Sequence, residues 1–137
     1  MTTTNTITED HFIRVFTAFA DAAHANSRAK KFWDTRDAIV RACSEVSEEL
    51  GMAARKCVDS QNRELMHSEL SEACEGARKN LMDDKCPQFE MEVVELADCV
   101  IRIMDHAAAR KLPIAEAIIA KMRMNEGREA MHGGKLF

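Results

Sequence analysis

Four carboxylates carry the chemistry this sequence offers: Glu69 and Glu72, then Glu95 and Asp98. Each pair is spaced i, i+3, so on a helix each presents two acids in one direction. The turn signals Asp83, Asp84 and Pro87 lie between the pairs, which predicts a helical hairpin with its turn near Lys85. Glu72 is then 13 residues before the turn and Asp98 13 after it, so the two are expected level across an antiparallel pair. Glu69 and Glu95 would sit about one helical turn away. Like charges gathered in a small volume repel, and a cation relieves them. Oxygen-only ligands favour Mg²⁺, Mn²⁺ or Ca²⁺ over zinc. Spacing alone leaves the bland alternative open: the acids could be solvated surface residues, with Asp98 paired to Arg102 at i, i+4.

A second group lies near the C-terminus. Ile114, Ile118, Lys121, Asn125, Arg128 and His132 alternate spacings of four and three and form one stripe of a helix. The stripe starts apolar and becomes cationic, a pattern expected to line a cleft. Gly133-Gly134-Lys135 adds backbone N–H groups and another cation. Arg can grip phosphate oxygens with two N–H groups and Lys acts as a point charge, so the stripe suits a polyphosphate. The alternative is a solvated helix end whose cations complement the dipole.

At these residues the chain resembles the MazG-like, all-α nucleoside triphosphate pyrophosphohydrolases. That family carries E-x-x-E, a gap, then E-x-x-D; here the motif reads Glu69-Leu-Ser-Glu72 and Glu95-Leu-Ala-Asp98. The strings HSELSEACEG and EVVELADCVIRIMD and the K-x-x-x-N-x-x-R-x-x-x-H-G-G-K tail are similar too. Together they cover roughly the second half of the chain. The resemblance implies hydrolysis of (d)NTP to (d)NMP and pyrophosphate, through a metal-activated water attacking the α-phosphorus. It implies Mg²⁺ on Glu69, Glu72, Glu95 and Asp98, and phosphates on Lys121, Asn125, Arg128 and Lys135, with His132 nearby. It implies a homodimer or homotetramer whose subunits build the site jointly. Trp33 would stack on the base, as an aromatic does in some relatives; a core or interface position is the ordinary alternative for a lone Trp. Many relatives carry Glu where this chain has Ser68, which leaves the number of metal ions and the identity of any base open.

The elements that must position these residues are helices. Five Gly and two Pro in 137 residues are few breakers, and Tyr is absent. The expected fold is all-α: about five helices in a bundle completed by homo-oligomerisation. Residues 1–8 read as a loose arm and 9–137 as one domain. Phe12, Phe16, Phe19 and Ala23 mark a helix over roughly 9–24, with a break or cap at Asn26 and Ser27. Lys30 to Trp33 takes no clear assignment. Ile39, Cys43, Val46, Leu50, Ala53 and Cys57 mark a helix over about 35–57. Residues 59–62 read as a break or kink, with one long helix as the alternative. The third helix, about 63–80, is expected to turn Leu65, Met66, Leu70, Ala73 and Ala77 inward. The fourth, about 88–109, is apolar over half its circumference, which calls for more than one packing partner and motivates a dimer. The last should open at Pro113 and end near His132-Gly133-Gly134.

The net charge of −4 argues against a nucleic-acid partner. Five cysteines without C-x-x-C suggest neither a disulfide framework nor zinc. No leader or membrane span is visible, so a cytoplasmic protein without membrane contact is expected. Two rivals remain. A di-iron carboxylate bundle would use Glu64-x-x-His67 and Glu129-x-x-His132. A non-catalytic helical interaction module would use none of the acids.

Overall fold

The computed structural model describes residues 7–128. They form five helices: α1 (Glu9–Ala29), α2 (Asp34–Val46), α3 (Glu48–Lys79), α4 (Met91–Arg110) and α5 (Ile114–Glu126). No strand occurs among the described residues beyond one isolated antiparallel bridge, Met82 with Glu90. No described helix is long and apolar enough to cross a membrane.

α3 and α4 form the hairpin that the acid spacing requires, and α4 also packs on α1. α2 folds back along α3, and α5 rests on α1. A small core joins α1 and α4 through Ala20, Ala23 and Met104, with Phe16, Ala108 and Ile114 against it. The hairpin turn is fixed by the buried Asp83, whose carboxylate accepts from the backbone N–H of Lys85 (2.9 Å) and Cys86 (2.5 Å). An aspartate bonding the backbone two and three residues ahead is the usual way such a turn is held. Asn80, at φ 51°, ends α3 in the left-handed conformation common after helices. Gly76 lets α4 approach: a Cβ there would lie 2.9 Å from Met91 Cβ and 3.0 Å from the Glu92 backbone nitrogen.

Several boundaries differ from the sequence reading, each for a local reason. Asn26 and Ser27 do not break α1, which runs on to Ala29; the Ser27 hydroxyl donates to Asp105 (2.7 Å) rather than capping the helix. Lys31, at φ 62°, then turns the chain into α2. The helix expected over 35–57 is two helices. Ser47 is extended (φ −161°, ψ 156°), and its side chain accepts from Leu50 N–H at 3.1 Å, with Glu48 and Glu49 in the first turn. That is an N-cap with acids at the positive end of the dipole. Residues 59–62 neither break nor end the helix: α3 runs through them for 32 residues. Its buried face is Asn62, Glu69, Ala73 and Gly76, whereas Leu70 and Ala77 are exposed. The helix is thus rotated from the expected orientation, with a carboxylate against α4. Finally, α5 stops at Glu126 with Gly127 as its cap, short of residue 132.

Candidate functional site

Glu69 on α3 and Glu95 and Asp98 on α4 converge, with one carboxylate oxygen from each within 4.8 Å of the others. Glu69 is buried, Glu95 half-buried and Asp98 exposed, so the group opens to solvent on one side. The i, i+3 spacing supplies the α4 pair, and the Gly76 approach brings α3 onto it. Glu72 stands at the rim. It is exposed, and the Ser68 hydroxyl donates to it at 3.0 Å. Three of the four expected carboxylates therefore meet, with the fourth beside them.

The electrostatics reflect that crowding. Burial, a hydrogen bond with Glu69, and the charges of Glu72, Glu69 and Asp98 push the Glu95 carboxyl up to about 7. Burial and the neighbouring Glu69 raise Asp98 as well. Arg102 pairs with Glu69 across the hairpin, not with Asp98 along α4. One guanidinium against three carboxylates leaves a deficit of positive charge, and a divalent cation would correct it. The donors fit such an ion. An octahedral Mg²⁺ shell, with bonds of about 2.1 Å, puts neighbouring ligands about 3.0 Å apart and opposed ones about 4.2 Å apart, so the three oxygens would draw closer together to share one ion.

Arg102 also lines a cleft of about 280 Å³ with Phe32, Asn62, Leu65, Asp105 and His106. The size is near the lower end for small-molecule pockets. Asn62 is buried, with its amide nitrogen 3.4 Å from His106 Nδ1, and burial lowers the His106 pKa. The cleft thus joins an imidazole, an amide and an apolar wall, and Arg102, which pairs with Glu69, links it to the acid group.

Sequence reading missed the network behind this cleft. The Asp105 carboxylate accepts from Trp33 Nε1–H (3.0 Å to each oxygen) and the Ser27 hydroxyl, and it lies 2.6 Å from His24 Nδ1. These partners are 72 to 81 residues distant in sequence, so no local spacing announces them. Trp33 is only 5% exposed, meets His24 edge to face, and has the Arg36 guanidinium 5.5 Å from its ring centre. It occupies the core position that was the alternative to base stacking. Phe32, 62% exposed, is the neighbouring aromatic that lines the cleft.

Among the described residues the cationic stripe is not brought to the acids. Lys121 and Asn125 lie exposed on α5, which packs on α1, and Arg128 follows the Gly127 cap, off the helix. The early end of α5 is why Arg128 does not extend the stripe. His132 and Lys135 lie outside the described residues. For the di-iron alternative, Glu64 and His67 are exposed, no His belongs to the converging group among the described residues, and Glu129 lies outside them. No family model matches the chain, nor does any curated protein or solved structure.

Proposed function

We propose that this chain is a Mg²⁺-dependent nucleoside triphosphate pyrophosphohydrolase. The observation that carries the reading is the meeting of Glu69, Glu95 and Asp98 across the α3–α4 hairpin, with Glu69 paired to Arg102 on the wall of a cleft of about 280 Å³. The motif resemblance to the MazG-like enzymes supports it.

Glu69, Glu95 and Asp98 would hold the ion. Bound Mg²⁺, or Mn²⁺ in its place, supplies Lewis-acid polarisation of phosphate oxygens and a more acidic water. Glu72, outside the three converging oxygens and open to solvent, takes the proton of the attacking water as general base. Ser68 orients it through the 3.0 Å hydrogen bond. A new bond forms between water oxygen and the α-phosphorus, and the α–β bridge bond breaks. Pyrophosphate then leaves. Phe32, Asn62 and His106 receive the nucleoside in the adjoining cleft. Lys121, Asn125 and Arg128 reach the phosphates from a second copy of the chain, which also covers the exposed α4 residues Val93, Leu96 and Val100.

Incubation with a panel of NTPs and dNTPs in Mg²⁺ should release pyrophosphate and the nucleoside monophosphate. Glu72→Gln should lower kcat by about 10²–10⁴ if it serves as the base. Asp98→Asn should weaken Mg²⁺ activation, with helicity unchanged by circular dichroism. Orthophosphate plus a diphosphate would place the chemistry at another bond. Full activity in the Glu72→Gln/Asp98→Asn double variant would remove the site.

A further inference from the structure

A second recess, of about 550 Å³, lies where α1, α2, α3 and α4 meet. Each helix contributes one arginine to its wall: Arg28, Arg41, Arg55 and Arg110 in order. Asp37 pairs with Arg28, and Asp59 with Arg110 at 3.2 Å. Arg41 and Arg55 form no ion pair among the described residues. The wall thus carries four arginines and two aspartates, and Asp34 and Asp105 also act on Arg28, so the arginines left without a paired acid are Arg41 and Arg55, in a chain whose net charge is −4. Such an arrangement runs against the overall field and concentrates anions locally.

The recess is separate from the acid group. Asp59 lies ten residues before Glu69 on α3, about 15 Å along the helix. Arg110 lies twelve after Asp98 on α4, about 18 Å away. Neither motif of the sequence analysis touches it. Arginines that separate helices bring to the wall of one recess match phosphate oxygens better than point charges do, because each guanidinium can donate two parallel N–H bonds. A recess of this volume takes more than a single orthophosphate.

The geometry points to a second anion site here, built for a diphosphate group: inorganic pyrophosphate or the phosphate end of a nucleotide. Arg41 and Arg55 are its principal ligands, and Arg28 and Arg110 are held in place by their aspartates. The site needs no divalent ion, since arginines supply all its positive charge. It stands independently of the proposed hydrolysis.

Calorimetric titration of the full chain in EDTA, with inorganic pyrophosphate and separately with ADP, tests it. Without a divalent ion the acid group repels both probes. At least one should bind and weaken with added salt. Arg41→Ala/Arg55→Ala should weaken binding by about tenfold or more. Arg41→Lys/Arg55→Lys, which keeps the charge and so guards against a merely misfolded variant, should retain part of it. Tighter binding of pyrophosphate identifies the free anion as the ligand, and tighter binding of ADP a nucleotide. Arg78→Ala/Lys79→Ala, which removes the same charge at the far end of α3, should leave the affinity as it was. No binding of either probe at millimolar concentration overturns the proposal. So does affinity unchanged in the Arg41→Ala/Arg55→Ala variant, or lost equally in Arg78→Ala/Lys79→Ala.

Discussion

Glu95 is the side chain on which the local energetics turn. Its carboxyl titrates at about 7, raised by burial and by the neighbouring acids. A folded-state pKa above the unfolded value means that the native state holds the proton more tightly. Its stabilising contribution is full below the unfolded value of 4.5 and lost as pH rises through about 7. In EDTA, Glu95→Gln should therefore raise Tm relative to the parent, by an increment that grows from pH 4.5 to 7.5. Adding Mg²⁺ should shrink or reverse the difference, because the ion stabilises the parent through the lost carboxylate. Thermal scans at several pH values measure this; a pH-independent difference would show that Glu95 does not feel its neighbours. At this scale the sequence was informative about type and spacing. Both acid pairs could be read from i, i+3 periodicity, and Glu69, Glu95 and Asp98 do meet. The Trp33–Asp105 network could not be read, because contacts over 72 residues leave no periodic trace. Arg102 was visible but matched to Asp98, since a cross-helix partner at Glu69 depends on rotation about the α3 axis.

That rotation is a property of the hairpin as an element. It is limited where α4 comes close to α3 at Gly76. An added methyl there meets both Met91 Cβ and the Glu92 backbone, and the backbone cannot swing aside as a side-chain tip would. Gly76→Ala should cost about 1–3 kcal/mol in urea unfolding, the range for overpacking a tight contact. It should also weaken Mn²⁺ binding, because it shifts Glu69 relative to Glu95. Unchanged stability and metal affinity would show that the approach is slack. Helix existence was legible throughout, because the apolar spacings are strong. Boundaries were less so. The apolar stripe from Ile39 to Cys57 continues through Ser47, so periodicity concealed the break that the Ser47 cap creates. The polar run 59–62 suggested a break, yet Asn62 is buried within α3 and lines the cleft.

At the scale of the whole molecule, one chain leaves much apolar surface uncovered. Val93, Leu96 and Val100 on α4 are 43–49% exposed, and Ile39 and Leu50 flank a second apolar groove on α2 and α3. The same residues made the sequence periodicity so clear, which is why the helices were legible and their partners were not: a stripe does not state whether its cover is the same chain or another. Sedimentation should find a dimer or tetramer at micromolar concentration, and Val100→Glu should shift it toward monomer while retaining helicity. A compact monomer in the parent would leave α5 and its cations without a route to the acids.

Pyrophosphohydrolysis as proposed requires water to attack the α-phosphorus beside Glu69, Glu95 and Asp98. Hydrolysis of a nucleoside triphosphate in isotopically labelled water, with Mg²⁺ present, tests that step directly by mass spectrometry of the products. The label should appear in the nucleoside monophosphate and be absent from pyrophosphate. Label in pyrophosphate or orthophosphate, or no turnover of any nucleotide in the panel, would contradict it.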